Sequence, residues 1–387
     1  MRRVPNLYSL YIIKLSKWFN MVMPIIVLFF QDNNLSMKDI FILKAIYSVG
    51  IVVMEIPSGY FADVWGRKNT LLTGSILGAA GFLTYSVSHS FLGFVVAEII
   101  LGVGQSFISG ADSAMLYDSL KMEKRQKEYL KLEGRVTSLG NFAEAFAGIV
   151  GGLLATITLR TPFFFQFAVA AMAIPAALAL KEPPKSKDKM VSLMDILRVT
   201  KEAMLNRSLR TAILFSALIG TSTLTYAWFV QPYFKAAELP VGWYGLMWTL
   251  LNLTVGIVSI YAYRVDRMLG ERRANILILL GICLFYFLTS MYVSLYAFPI
   301  LFLFYGVRGI ATPLLKNYIN QYTASEVRAT ILSVRNFSIR VLFAILGPLL
   351  GWMNDFYSLS VALALTGAIV LVIGIVILLP FIIYRKA

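Results

Sequence analysis

The chain has 387 residues, 58% apolar and 14% charged, with 35 Lys and Arg against 20 Asp and Glu and a formal net charge of +15. So little charge cannot cover a soluble protein of this length, which excludes a soluble multidomain reading. The excess base is scattered in short segments between apolar stretches rather than gathered in one patch, which argues against nucleic acid and for membrane topology. One cysteine, Cys283, excludes an internal disulfide, and one histidine, His89 in a short turn, leaves no ligand set for zinc or haem. No metal, cofactor or enzymatic nucleophile–base set is expected.

In chain order, Met1-Arg2-Arg3 and the apolar run behind it look like a signal peptide. Lys14 and Lys17 interrupt that run and no small-residue cleavage site follows, so it is expected to stay as the first helix. Twelve apolar segments, each long enough for a ~30 Å hydrocarbon core, fall at 7–30, 38–61, 70–88, 92–117, 132–158, 163–181, 209–234, 242–263, 274–292, 295–318, 330–351 and 359–383. Connections poor in Lys and Arg (31–37, 89–91, 159–162, 235–241, 293–294, 352–358) alternate with basic ones. The latter carry Arg67-Lys68; Lys121, Lys124, Arg125, Lys127 and Lys131; Lys181, Lys185, Lys187 and Lys189; Arg264, Arg267, Arg272 and Arg273; and Arg328. Both termini are basic as well, at Arg2-Arg3 and Arg385-Lys386. The positive-inside rule then puts both termini and the basic loops in the cytoplasm, which requires an even number of spans.

The longest connection, 182–208, divides the chain into two six-span halves, 1–181 and 209–387. Glu182-Pro183-Pro184 stops a helix, and Ser192 to Asp195 resembles a capping box for a short amphipathic helix carrying Leu193, Ile196, Leu197 and Met204. Such a basic segment is expected on the inner membrane surface, as a tether or a regulatory element.

After the second span stands Gly59-Tyr-Phe-Ala-Asp63-Val-Trp-Gly66-Arg67-Lys68. This resembles the loop signature of the major facilitator superfamily, G-x-x-x-D-x-x-G-R-[KR], in its expected place between spans two and three. Gly59 is expected to allow a close helix contact, Asp63 to offer a carboxylate to a helix N-terminus and Gly66 to turn the chain. The resemblance gives Arg67 an anionic partner at the inner end of span four, where Asp118 stands. A degraded copy, Tyr263-Arg-Val-Asp266-Arg267-Met-Leu-Gly270-Glu-Arg272-Arg273, occupies the matching place six spans later, as the internal repeat of that fold requires. The implied fold is an all-α integral membrane protein: twelve transmembrane helices in two pseudo-symmetric six-helix bundles, with cytoplasmic N- and C-termini.

Other features of the family match in part. Where exporters often carry an Arg four residues before a Gly of span four, this chain has Glu98 before Gly102. The antiporter signature of span five survives without its proline as Gly148-Ile-Val-Gly151-Gly152, and a fuller copy, Gly347-Pro348-Leu-Leu-Gly351, lies in span eleven. Within spans, Gly102-Val-Gly104 and Gly148 to Gly152 are expected to serve close helix packing.

Ionisable side chains within spans are costly and so point to function. The acids are Glu55, Glu98, Asp112 and Glu144; the bases are Lys14, Lys17, Lys44, Arg308, Lys316, Arg335 and Arg340. Glu98, Gly102, Gln105, Ser109 and Asp112 share one face of span four. The resemblance puts spans one, four, seven and ten around a central cavity. Depth along the helices matches Glu98 with Lys44, Asp112 with Lys14 and Lys316, and Glu55 with Arg335; the resemblance packs spans two and eleven across the two halves, which would make the last an interbundle pair. Glu98, Asp112 and Glu144 are the proton-coupling candidates. Lys14, Gln105, Tyr226, Trp228, Gln231, Arg308 and Lys316 are the substrate-cavity candidates, and Gly59, Asp63, Gly66, Arg67, Lys68 and Asp118 form the conformational-switch loop.

These features imply a transporter that moves a small solute by alternating access, with proton-coupled efflux of a drug or metabolite as the leading form. A proton symporter importing an anionic nutrient is the second form, suggested by the surplus of intramembrane bases. The expected partners are the solute, protons and the lipid bilayer, for a monomer in the inner (plasma) membrane.

Overall fold

A computed structural model describes residues 6–183, 193–324 and 327–384. The expectations for Arg2, Arg3, Lys185, Lys187, Lys189, Ser192, Arg385 and Lys386 lie outside those residues. The described residues form helices and connecting turns, with no strand among them. In order these are α1 (Leu7–Trp18), α2 (Ile26–Asp32), α3 (Met37–Val64), α4 (Arg67–Val87), α5 (Phe91–Met122), α6 (Tyr129–Ala155), α7 (Thr161–Ala171) and α8 (Ala173–Leu178). There follow α9 (Leu193–Leu205), α10 (Arg207–Ala236), α11 (Tyr244–Ser259), α12 (Ala262–Met291), α13 (Phe298–Gln321), α14 (Arg328–Phe356) and α15 (Leu359–Tyr384).

Among the described residues nine helical stretches are long and apolar enough to cross a bilayer, or ten if α3, bent by 44° where Pro57 interrupts its hydrogen bonds, counts as one. The count of twelve is therefore not reached by length and composition. The first expected span is not one helix: it breaks between Trp18 and Ile26, around Asn20 and Pro24. The break is satisfied internally, because the buried Gln166 side-chain oxygen accepts from the Met21 N–H at 2.8 Å. In the fifth, only Phe142–Ala155 is apolar; Lys131, Glu133 and Arg135 dilute the rest of α6.

The chain forms two compact units. The first comprises Met1–Leu35, Ile46–Lys189 and Val241–Thr249; the second comprises Ser36–Ala45, Met190–Pro240 and Leu250–Ala387. Two short segments thus cluster with the opposite sequence half: 36–45 with the second and 241–249 with the first. Below, the inner end of each unit is the one that carries the basic loops.

In the first unit α4 and α5 pack backbone to backbone. A Cβ built on Gly74 would lie 3.0 Å from the Gly104 carbonyl oxygen, and one on Gly104 would lie 3.2 Å from that of Gly74. Leu71, Met115, Leu116, Leu120 and Ala177 close an apolar core near the inner end. The outer end is tied by Arg160. Its guanidinium donates to the carbonyls of Ser86 and Ser88 at 2.8 Å each and to the Asn33 side-chain oxygen at 2.9 Å, with the His89 Nδ1 at 3.0 Å. The same group sits over the Phe29 ring. Arg160→Ala strips charged donors from three elements, each bond worth about 1.5–3 kcal/mol. The expected result is a clear drop in thermal stability in detergent, with Arg160→Lys recovering only part of it.

In the second unit α10 is the central helix. Its Tyr226 ring stacks on Phe304 at 3.6 Å and meets Tyr286 edge-on at 5.1 Å, an aromatic core in which all three rings are buried. The linker helix α9 docks on this unit: Val199, Ala203 and Met204 pack with Leu209, Ile319 and Ile331 at the inner ends of α10, α13 and α14. Asn206 caps α10 by accepting from the Leu209 N–H at 3.1 Å. The side chains of Leu193, Ile196 and Leu197 lie outside those described.

Candidate functional site

The signature loop is built around Gly66, whose φ of +98° is a conformation that favours glycine. It starts α4 so that Arg67 reaches back to α5, where its guanidinium pairs with Asp118 at 2.5 Å and also donates to the Ala114 carbonyl. The partner expected from sequence is in place. A second acid holds the same turn: the Glu182 carboxylate accepts from the backbone N–H groups of Arg67 at 2.8 Å and Lys68 at 2.7 Å, capping α4 with charge. In the sequence, Glu182 before two prolines marks no more than a helix stop. Asp63 is exposed, and a Cβ on Gly59 would meet nothing within 4 Å, so the close contact expected at Gly59 is not seen among the described residues.

The second loop repeats the backbone and inverts the charge. Gly270 again has positive φ, +68°. Glu271 stands where Arg67 stands in the first loop and accepts from the Tyr322 hydroxyl, while Asp266 accepts from the Tyr318 hydroxyl at 2.7 Å. Both tyrosines lie at the inner end of α13, as Asp118 lies at the inner end of α5.

Above the first loop, α1, α5 and α6 bring together a charged cluster. Lys14 Nζ lies 3.1 Å from Asp112 and 3.9 Å from Glu133, with the three side chains 13%, 11% and 23% exposed. Ser113 fixes both acids: its hydroxyl donates to Glu133 at 2.8 Å and its N–H to Asp112 at 2.6 Å. Depth alone had matched Lys14 with Asp112. Glu133 is absent from the intramembrane acids expected from sequence because it stands second in span five, 132–158, at the very end of the span beside the basic connection. In the adjoining connection, a hydrogen bond from Arg125 holds the Glu128 carboxyl below its ordinary range.

The remaining candidates are dispersed. Glu98 is 1% exposed, with Tyr85 as a neighbour in the first unit. Lys44 belongs to the second unit, where its ammonium lies 5.0 Å from the Trp228 ring centre. Gln105 and Glu144 are half-buried in the first unit. Tyr226 and Gln231 are 2% and 1% exposed, packed inside the second unit rather than facing open space. Glu55 is exposed on α3, while Arg335 is buried on α14, where Nε donates to Ser216 at 2.5 Å and Nη1 to Asn336 at 3.0 Å. Arg308 lies over the Tyr305 ring at 5.4 Å, and Lys316 is exposed one helix turn from Thr312.

The glycine motifs of spans five and eleven are seats for backbone. A Cβ on Gly151 would fall 1.9 Å from the Met21 carbonyl oxygen, and one on Gly152 would fall 2.7 Å from the Gly245 nitrogen. In the second unit a Cβ on Gly351 would fall 2.7 Å from the Met37 carbonyl oxygen. The adjacent Asp355 caps that helix start, accepting from the N–H groups of Met37 at 2.9 Å and Lys38 at 2.7 Å.

Against known proteins, the family profile described as Major Facilitator Superfamily matches residues 17–234. The quinolone resistance protein NorA of Staphylococcus aureus is 22% identical over 165 residues, 43% of this chain and 42% of NorA, so the match spans less than half of that relative. An uncharacterized MFS-type transporter of Methanocaldococcus jannaschii, MJ1560, is 21% identical over 270 residues, 67% of each chain. Among solved structures, the nucleoside transporter NupG aligns over 97% of this chain and 98% of its own at 13% identity, with a TM-score of 0.83. A bacterial homolog of the human lysosomal transporter Spinster aligns over 97% and 94% at 15% identity, with a TM-score of 0.75.

Proposed function

The chain belongs to the Major Facilitator Superfamily, a family of multi-pass membrane transporters rather than enzymes, and from that premise we propose a proton-coupled carrier that exports a small drug or metabolite by alternating access. The observation that carries the coupling is the sharing of Lys14 between Asp112 and Glu133. With two carboxylates around one lysine, the loss of charge on either acid still leaves the ammonium an ion-pair partner. A site that gains and loses a proton as it meets different surroundings lets a proton gradient bias a two-state carrier. Glu98, buried beside Tyr85, is the second acid we place on the proton route, and Glu144 is a third.

Export is supported by the similarity to NorA, a quinolone resistance protein, over part of the chain, and by the glycine seats of spans five and eleven, which correspond to the antiporter signature. Import of an anion by proton symport is the alternative, favoured by the bases Arg308, Lys316 and Arg335 in the second unit. The location we propose is the inner (plasma) membrane, as a monomer with both termini and the basic loops in the cytoplasm, supported by the alternation of basic and base-poor connections.

The deciding experiment follows proton movement with an interior pH dye in proteoliposomes of known protein orientation. Quinolone added on the cytoplasmic face should drive protons the opposite way to the drug. Protons moving with a solute would establish symport, and no solute-linked proton movement for any transported compound would remove the coupling.

A further inference from the structure

The central helix of the second unit, α10, reaches the surface at its inner end. Leu214 is the sole exposed residue of that helix between Arg210 and Lys235. With Arg207 and Arg210 before it at three- and four-residue spacing, it continues one helix face. The linker helix α9 ends beside this face, and α15 packs along α10. From α15 come two apolar neighbours, Val376 and Ile377, the first of them 65% exposed.

Together these elements enclose a cavity of about 460 Å³. Arg207, Arg210 and Thr211 supply its polar wall, and Leu214, Val376 and Ile377 its apolar one. From Arg207 to Leu214 the helix rises by about 10 Å. The wall thus turns from cationic to apolar over a distance comparable with the headgroup layer of a bilayer, roughly 5–8 Å on each side. An apolar groove alone would take any acyl chain, and a basic patch alone any small anion. The two side by side select an amphiphile with an anionic head.

The charge here is of one sign. Neither α10 nor α15 contains an Asp or Glu. The acid nearest in sequence, Glu202, is turned to Arg198, with the Nε 3.1 Å from its oxygen. Arg210 gives one of its five donors to the Met204 carbonyl at 3.3 Å, which holds its side chain against the end of α9. The positive end of the α10 dipole, capped at Asn206, lies at the same place and adds to the attraction for an anion.

We propose that this groove binds an anionic phospholipid of the leaflet that faces the basic loops. Its phosphate sits on Arg207 and Arg210, whose planar forks present paired N–H donors to phosphate oxygens. One acyl chain lies along Leu214, Val376 and Ile377. A basic pocket between helices at the membrane surface is a setting in which such headgroups are held. A lipid in this place braces α15 against the junction of the linker helix with α10. The proposal needs the bilayer, but neither proton coupling nor a direction of transport.

The test is lipid retention by the purified full chain in an uncharged detergent. Dioleoyl phosphatidylglycerol, dioleoyl phosphatidylcholine or inorganic phosphate is added, and native mass spectrometry and thermal stability are the readouts. A single phosphatidylglycerol should stay bound and raise the melting temperature; phosphatidylcholine and inorganic phosphate should do neither. Arg207→Gln combined with Arg210→Gln should weaken the phosphatidylglycerol effect by at least roughly tenfold in lipid concentration. Leu214→Gln should weaken it several-fold, because the chain loses its apolar wall. Arg264→Gln removes the same charge from another inner loop of this unit and should leave the effect unchanged. All four side chains are exposed, so the variants should fold. Equal retention of phosphatidylcholine, or an undiminished effect in the double variant, overturns the proposal. So does stabilisation by inorganic phosphate alone, which would make the site one for free anions. An equal loss in Arg264→Gln overturns it too, as the mark of diffuse attraction to a basic surface.

Discussion

Asp112→Asn is expected to uncouple transport from the proton gradient. In proteoliposomes with an inward-directed proton gradient, the gradient-driven rate should fall at least roughly tenfold, the equivalent of about 1.4 kcal/mol in a barrier. Exchange of solute with no gradient should survive. The argument is geometric: Asn cannot take up a proton, but it keeps the shape that accepts from the Ser113 N–H. Lys14 retains Glu133 at 3.9 Å, so the ammonium is not stranded and the fold should hold. Glu133→Gln should give a smaller loss, because the pair at 3.1 Å remains. Removing both acids is a different matter. It leaves Lys14 without either of its carboxylate neighbours, and breaking a buried pair from one side costs about 3–5 kcal/mol. The double variant should therefore lose stability far beyond the sum of the single ones, and Lys14→Met on top of it should recover stability without recovering coupling. Wild-type coupling in both single variants would remove the cluster from the proton route.

Much of this cluster can be found in the sequence, and the part that cannot has a physical cause. Asp112 and Lys14 could be matched because helical rise converts sequence position into depth, and both sit in the same third of their spans. Rotation about a helix axis is not fixed that way, so depth offered Asp112 either Lys14 or Lys316 without choosing between them. Glu133 was lost to a boundary: an acid near a helix end looks like a loop residue until a neighbouring helix covers it. Arg67 and Asp118 were legible because the loop signature fixes both positions. Glu182 was not, because the two prolines behind it explain a helix stop without any further role for the acid. The break in the first span carried a signal that went unused, since Pro24 disfavours helix in the residue before it. Tyr226 misled for the opposite reason. A tyrosine on a central helix suits a binding site or a core equally well, and only the stacked Phe304 shows that it is core.

The largest effect on folding is expected from one methyl group at Gly151. Its Cβ would sit 1.9 Å from the Met21 oxygen and 2.7 Å from the Met21 carbonyl carbon. Those are backbone atoms, so no side-chain rotation relieves the overlap. Nor can Met21 move away freely, because its N–H is held by Gln166, which is fully buried. Overpacking typically costs about 1–3 kcal/mol where side chains can yield; here the rigid element must shift, so Gly151→Ala should lie at or above that range. The readout is the yield of monodisperse protein in detergent, and it should fall sharply. Gly306→Ala on α13 is the matched control: a Cβ there meets nothing within 4 Å, and the change should stay within about 1 kcal/mol of wild type. Met21→Gly distinguishes backbone from side chain. It deletes the methionine side chain but leaves the carbonyl, so it should not rescue Gly151→Ala. Rescue would mean that the first span can give way at its break, and that the glycine is kept for the motion of α6 against that break rather than for the static fit.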